Sequence, residues 1–378
     1  MQVERDEVEM STRTNGSARP VGLVKPRQTS ADVRARVGLA LEDFLADYVA
    51  VLGRIGEELS DLDGPLQTAV LAGGKRLRPL FAYWGARAAG AADEEGLIRV
   101  AASLELLHAF ALIHDDVMDD SDLRRGRPSA HRAIEAAHRA AERHGDPARF
   151  GQAAAILLGD LLLVLSEQML ATAGLPTTAA LRTRDVFASM RLELMAGQYL
   201  DIAAPTRGGV PLERALRIAR YKSGKYTVEA PLHLGAAVVG APASVVDAYT
   251  AFALPLGEAF QLRDDLLGVF GDSAVTGKPS GEDLREGKQT VLIALAREQA
   301  SDAQRALLAA RLGDPDLDDE GVAALRGLIV ETGARDGAER MIAERCHHAL
   351  AVLESAPLTA EGRSALRELA VAAVDRTA

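Results

Sequence analysis

Between Ile113 and Asp122 this chain carries five carboxylates in ten residues, and it turns abruptly basic at Arg124, Arg125 and Arg127. If residues 101–120 form a helix, Asp115 and Asp119 share one face, with Asp116 on its shoulder. Gly126 and Pro128 predict that the helix stops soon after Ser121. The acids then fall in its last turns, where the negative end of the helix dipole and their mutual repulsion both disfavour them. A fold that buries such a helix must bring positive charge to its end.

A second apolar run ends the same way, in Asp264-Asp265, and runs into a glycine-rich, lysine-bearing loop. Two such groups on facing helices make a polynuclear metal site. Cys346 is the only cysteine and no histidine pair at ligand spacing lies near the acids, so an all-oxygen set favours magnesium or manganese over zinc. The lone thiol excludes an intramolecular disulfide and fits a reducing cytoplasm. A net charge of −11 argues against nucleic acid as a partner. The longest apolar run, Ala153 to Leu165, is interrupted by Asp160, so no membrane span is expected.

Apolar positions recur at threes and fours almost throughout, as in Val37, Leu41, Phe44, Leu45, Tyr48 and Leu52. Breaks at Gly73-Gly74, 90–95, 124–128, 145–147, 174–177, 206–211, 240–242, 271–287 and 314–320 predict roughly ten to thirteen helices and no persistent strand. The expected fold is all-α: one large helical bundle with a central cavity. Residues 1–30 are polar and without period, and read as a flexible arm preceding a single catalytic domain over 31–378.

Basic groups answer the acids. Gly73-Gly74-Lys75-Arg76-Leu77-Arg78-Pro79 opens a helix with three cations, a plausible diphosphate seat. Arg124 and Arg125 follow the first acid cluster, Lys222-Ser223-Gly224-Lys225 interrupts an apolar helix, and Lys278 and Lys288 flank the loop after the second. Cations so placed either neutralise the acids or bind phosphate. Alternating acid and base loops favour a metal-bridged polyphosphate.

Assembled, these segments resemble the trans-isoprenyl diphosphate synthase, or polyprenyl synthetase, family over about residues 35–350. The resemblance rests on GGKRLRP, LELLHAFALIHDDVMDDSDLRRGRP, Gly159-Asp160, GQYLD at 197–201, YKSGKYT, FQLRDDLLGVFGD and GKPSGEDLREGKQT, all in order. It implies an isoprenoid synthase-like bundle and a homodimer. Asp115, Asp119 and Asp264 would bind three Mg²⁺ with the allylic diphosphate (dimethylallyl, geranyl or farnesyl), helped by Asp116, Asp265 and, through water, Asp201. Arg124, Lys222, Ser223, Gln261, Lys278 and Lys288 would sit beside that diphosphate. Lys75, Arg78, His108 and Arg125 would hold isopentenyl diphosphate in a metal-free pocket; His108 lies seven residues before Asp115, about 10 Å along the same helical face. Two departures stand out: Gly268 where many members have a third aspartate, and Ser223 for the commoner threonine.

The implied reaction breaks an allylic carbon–oxygen bond and adds the cation head-to-tail to isopentenyl diphosphate, with the released diphosphate as base. Residues a turn or two before Asp115 would measure product length. Phe110, Ala111 and Leu107 occupy those positions and resemble a twenty-carbon, geranylgeranyl, pattern; farnesyl or a product of twenty-five carbons or more is the alternative, the longer one if Phe110 points away. A class I terpene cyclase would carry a different second metal motif and more aromatic residues. A regulatory subunit would have lost an aspartate pair or Lys222, and neither is lost.

Overall fold

In the computed structural model, residues 28–207, 209–272, 281–314 and 316–375 are described. Lys278 and most of the expected N-terminal arm lie outside them. Among the described residues the chain is helical from end to end, apart from a two-stranded ribbon.

Helix α1 (Ser30–Ile55) begins at a Thr29/Asp32 capping box and leads through α2 (Asp63–Leu71) to α3 (Leu77–Ala88) and α4 (Glu95–Met118). A ribbon of β1 (Leu123–Arg124) and β2 (Arg127–Pro128) follows, then α5 (Ala130–Ala140), α6 (Pro147–Ala171), α7 (Thr177–Ile202) and α8 (Leu212–Ala219). A π-helical stretch, Arg220–Glu229, runs on into α9 (Ala230–Val239), and α10 (Ala243–Phe270) carries the second aspartate pair. The rest comprises α11 (Glu282–Arg285), α12 (Val291–Gln299), α13 (Asp302–Arg311), α14 (Asp319–Glu331), α15 (Ala334–Ser355) and α16 (Ala360–Val374).

The sixteen α-helices among the described residues exceed the expected range. The surplus comes from a single turn, α11, inside the loop after Asp272, from joints near Gly56, Ser301 and Gly333 that carry no proline, from the π-helical stretch between α8 and α9, and from the joint at 356–359. The expected break at 124–128 is the ribbon, too short for any alternation to announce it.

Helix α4 is apolar on nearly every side and lies at the centre, buried from Leu97 through Ile113 apart from Arg99 and the cavity-facing His108, Ala111 and Leu112. It packs along α6 while α10 packs along α15, and one continuous core joins them. Partly exposed ion pairs tie the π-helical stretch to its neighbours. Glu258 of α10 accepts from Arg220 Nε at 3.0 Å and from Arg345 Nε of α15 at 2.8 Å. Lys225 lies 2.9 Å from Glu193 of α7.

Both α4 and α6 are long and apolar enough to cross a membrane, which the expectation of no span did not foresee. In α4 that surface faces the core. In α6 and α7 part of it faces outward, as Phe150, Leu157 and Val164 on one helix and Leu192, Met195, Tyr199 and Ile202 on the other.

Candidate active site

Helix α4 ends at Met118, with Asp119 as its C-cap and the Asp119 amide donating to the Asp115 carbonyl at 2.9 Å. The first acid group therefore sits on the last turn, where the helix dipole adds to its own negative charge. Three cations from other segments converge on it. Asp115 Oδ1 accepts from Lys222 Nζ at 3.2 Å and from Gln198 Nε2 at 2.8 Å, and its Oδ2 lies 3.6 Å from Arg124. The Arg124 guanidinium binds the buried Asp116 through both Nε and Nη2. Lys288 reaches Asp119 at 3.2 Å, Glu286 at 2.5 Å and Asp283 at 3.6 Å.

These charges set protonation. Burial alone would raise the Asp115 carboxyl, but Lys222, Lys288 and Arg124 outweigh it and hold the group well below the usual carboxylate range. Burial raises Asp119, with the charge of Asp115 and against that of Lys288. Lys222 is pushed up despite burial by Asp115 and by Asp201, 2.6 Å away. Asp265, buried beside α10's own Gln261 (2.8 Å), is raised to about 8 by desolvation and by Asp283, Asp264 and Asp201, against that hydrogen bond.

Most of these groups rim one cavity of about 770 Å³. Its wall includes Asp115, Arg124, Lys222, Ser223, Gln261, Asp264, Asp265 and Lys288 at one end, and Lys75, Arg78, His108 and Arg125 at the other. Asp116 and Asp119 are not on the wall but hold the cations that are. At the second end Arg78 donates to Thr227 at 2.8 Å and lies 4.2 Å over the Tyr226 ring, whose hydroxyl is 3.3 Å from His108 Nδ1. Burial, then Arg78, Arg125 and Arg124, keep that imidazole neutral well below its ordinary value. Arg125, at φ 54°, is anchored on the Gly73 carbonyl.

Of the residues expected to measure chain length, Ala111 lines the cavity while Phe110 and Leu107 do not. Phe110 is turned edge-on to His114 at 4.8 Å, and Leu107 is wholly buried.

The polyprenyl synthetase profile matches residues 60–328. The chain belongs to the polyprenyl synthetase family. It is 33% identical over 343 residues to a geranylfarnesyl diphosphate synthase of Aeropyrum pernix, covering 89% of this chain and 99% of that one. It is 35% identical to a farnesyl diphosphate synthase of Escherichia coli, covering 76% and 99%. A geranylgeranyl pyrophosphate synthase from Corynebacterium glutamicum, solved with isoprenyl diphosphate and magnesium, superposes with a TM-score of 0.87 at 42% identity, covering 92% and 98%. The synthetase is thus a prenyltransferase that makes trans-prenyl diphosphates.

Polyprenyl synthetases are generally magnesium-dependent. The donors here fit: the rim offers the carboxylates of Asp115, Asp201, Asp264 and Asp265, oxygen ligands of the kind magnesium takes. Such a site suits an ion that completes its shell with water and substrate phosphate.

Sequence reasoning missed several groups of this synthetase. Gln198 lies inside the quoted GQYLD segment yet reveals itself only by its bond to Asp115. Glu105, buried and raised by desolvation against Arg76, Arg78 and Arg125, lines the second end. Asp283 explains Gly268. A Cβ at 268 would overlap the Asp283 carboxylate, which lies against α10 where the third aspartate of a fuller motif would begin.

Proposed function

We propose that the chain condenses an allylic diphosphate with isopentenyl diphosphate to give all-trans geranylgeranyl diphosphate. The allylic C1–oxygen bond breaks and diphosphate leaves. C1 then bonds to C4 of isopentenyl diphosphate, and a proton leaves C2 to the diphosphate. The observation that carries this reading is the two-ended cavity: one end pairs carboxylates with lysines, the other is cationic with a neutral imidazole.

Asp115, Asp119 and Asp264 would hold three magnesium ions with the allylic diphosphate, with Asp116, Asp265 and Asp201 in support; magnesium supplies Lewis-acid stabilisation of the departing charge. Lys222, Arg124 and Lys288 face the same diphosphate, flanked by Ser223 and Gln261, and their fixed charges favour its departure. Lys278 is assigned to that group from the sequence pattern. At the other end Lys75, Arg78, His108 and Arg125 seat isopentenyl diphosphate, where a neutral imidazole both donates and accepts without repelling the arginines.

The twenty-carbon product is supported by Phe110 five residues before Asp115 and by the likeness to the Corynebacterium enzyme. A twenty-five-carbon product is the second reading, favoured by Ala111 rather than Phe110 on the cavity wall. Labelled isopentenyl diphosphate incubated with each primer, followed by chromatography of the dephosphorylated alcohols, decides between them. Absence of elongation with every primer would falsify the function itself.

The apolar stripes on α6 and α7 support a homodimer. Phe150, Leu157 and Val164 repeat at seven residues, and Leu192, Met195, Tyr199 and Ile202 at threes and fours, each 41–71% exposed. Burying such side chains gains ~1.5–3 kcal/mol apiece for full burial. Two sets of stripes together compete with the ~4–15 kcal/mol cost of association. A second copy of the chain, presenting the same stripes, is the matching partner.

A further inference from the structure

The Gly159-Asp160 pair on α6 takes no part in the cavity. It faces His114, the residue immediately before the first aspartate. A Cβ at 159 would overlap the imidazole, so the ring rests directly on the α6 backbone. His114 Nε2 is also 2.9 Å from the Ile156 carbonyl and 3.8 Å from Asp160, which fixes the ring on its α6 side. On its other side stands Phe110, one turn earlier on α4, 4.8 Å away with the two rings at 67°. Phe110 is 7% exposed and has no polar group to orient it, so its position depends on the shape of what it touches.

We infer that His114, seated on Gly159, is a positioning residue for Phe110 and so sets how long a prenyl tail can grow. The inference rests on the proposed elongation reaction. Ala111, on the cavity wall, is too small to stop a tail; Leu112 shares that wall, and Phe110, adjoining Ala111 on α4, lies just off it. Its ring can move in two directions. Removing the imidazole opens space one turn towards Asp115, into which Phe110 can withdraw, leaving a wider groove. Adding a methyl at 159 drives the imidazole off α6 and onto Phe110, pressing that ring towards the tail.

The two changes therefore carry opposite signs, which a general loosening of the α4–α6 contact would not produce. His114→Ala is expected to move the main product at least one isoprene unit longer, and Gly159→Ala to move it at least one unit shorter. His114→Gln, which keeps a donor for the Ile156 carbonyl and much of the volume, should restore the unmodified distribution. In a Phe110→Ala background, His114→Ala should produce no further shift.

The measurement is the product-length distribution under fixed primer and isopentenyl diphosphate, with the thermal midpoint of each variant recorded alongside. Opposite shifts support the inference. Unchanged products, shifts of the same sign, or a His114→Ala effect that persists without Phe110 overturn it. If Gly159→Ala does not fold, the His114→Ala and His114→Gln pair decides alone. Failure of the unmodified chain to elongate any primer would count against the proposed function, not against this contact.

Discussion

Gly268 leaves room for the Asp283 carboxylate, which rests against α10 beside the second aspartate pair. With the Asp283 group already lying against α10 at Gly268, a second carboxylate there would crowd like charges beside Asp264 and Asp265. Gly268→Asp is therefore expected to lower activity and raise the magnesium concentration for half-maximal rate, read from a metal titration. A variant that matches the unmodified chain on both would show that Asp283 yields the space without cost. His108 gives a pH signature of its own. Unfolded, it takes up a proton near 6.5; folded, it resists until well below, so the unfolded state binds the extra proton and stability falls as pH drops under about 6.5. The slope from this one group is up to about 1.4 kcal/mol per pH unit. His108→Gln should lose less of its denaturation midpoint between neutral pH and pH 5.5 than the unmodified chain loses. At this scale Asp115 and Asp119 could be read from helical spacing. Gln198 and Asp283 could not, because what brings them to the cavity is packing between segments distant in sequence, whereas Glu105 stands one turn before His108 on the same helix.

The π-helical stretch is the element on which the cation arrangement turns. It presents Lys222 between Asp115 and Asp201, and it lies so close to α7 that a Cβ at Gly197 would overlap the backbone of Tyr221 and Lys222. Backbone cannot swing aside as a side-chain tip can. Gly197→Ala should therefore separate α7 from this stretch and cost on the order of 10²-fold in kcat, comparable to losing one preorganised charge donor. Lys222→Ala should match it, and both chains should keep native far-ultraviolet dichroism. If Gly197→Ala turns over normally, the close approach is incidental. Spacing alone marked this segment as an interruption, Lys222-Ser223-Gly224-Lys225 in an apolar run, and only the family resemblance placed Lys222 and Ser223 beside the diphosphate. A wider helical turn has no period of its own to read in ten residues. By contrast α4 and α6 were legible, the latter with Asp146 and Pro147 marking its start.

For the whole molecule, the all-α architecture and its single core follow from apolar spacing at threes and fours, and the cavity follows from two acid-tipped helices that must meet cations. The outward stripes were not legible, because an apolar residue in a helical period reads the same whether it faces its own core or a neighbouring chain. Leu157→Glu combined with Leu192→Glu should convert a dimer to monomers in light scattering, and an unmodified chain that is already monomeric would remove the partner assigned to those stripes. Helix α7 joins the two questions. Its inner face holds Gln198 and Asp201 beside Asp115 and Lys222, while its outer face carries Leu192, Met195, Tyr199 and Ile202. The proposed assembly and turnover then hang on one beam. Specific activity should then decline on dilution well before the protein unfolds, and the concentration at which it halves should coincide with the midpoint of self-association.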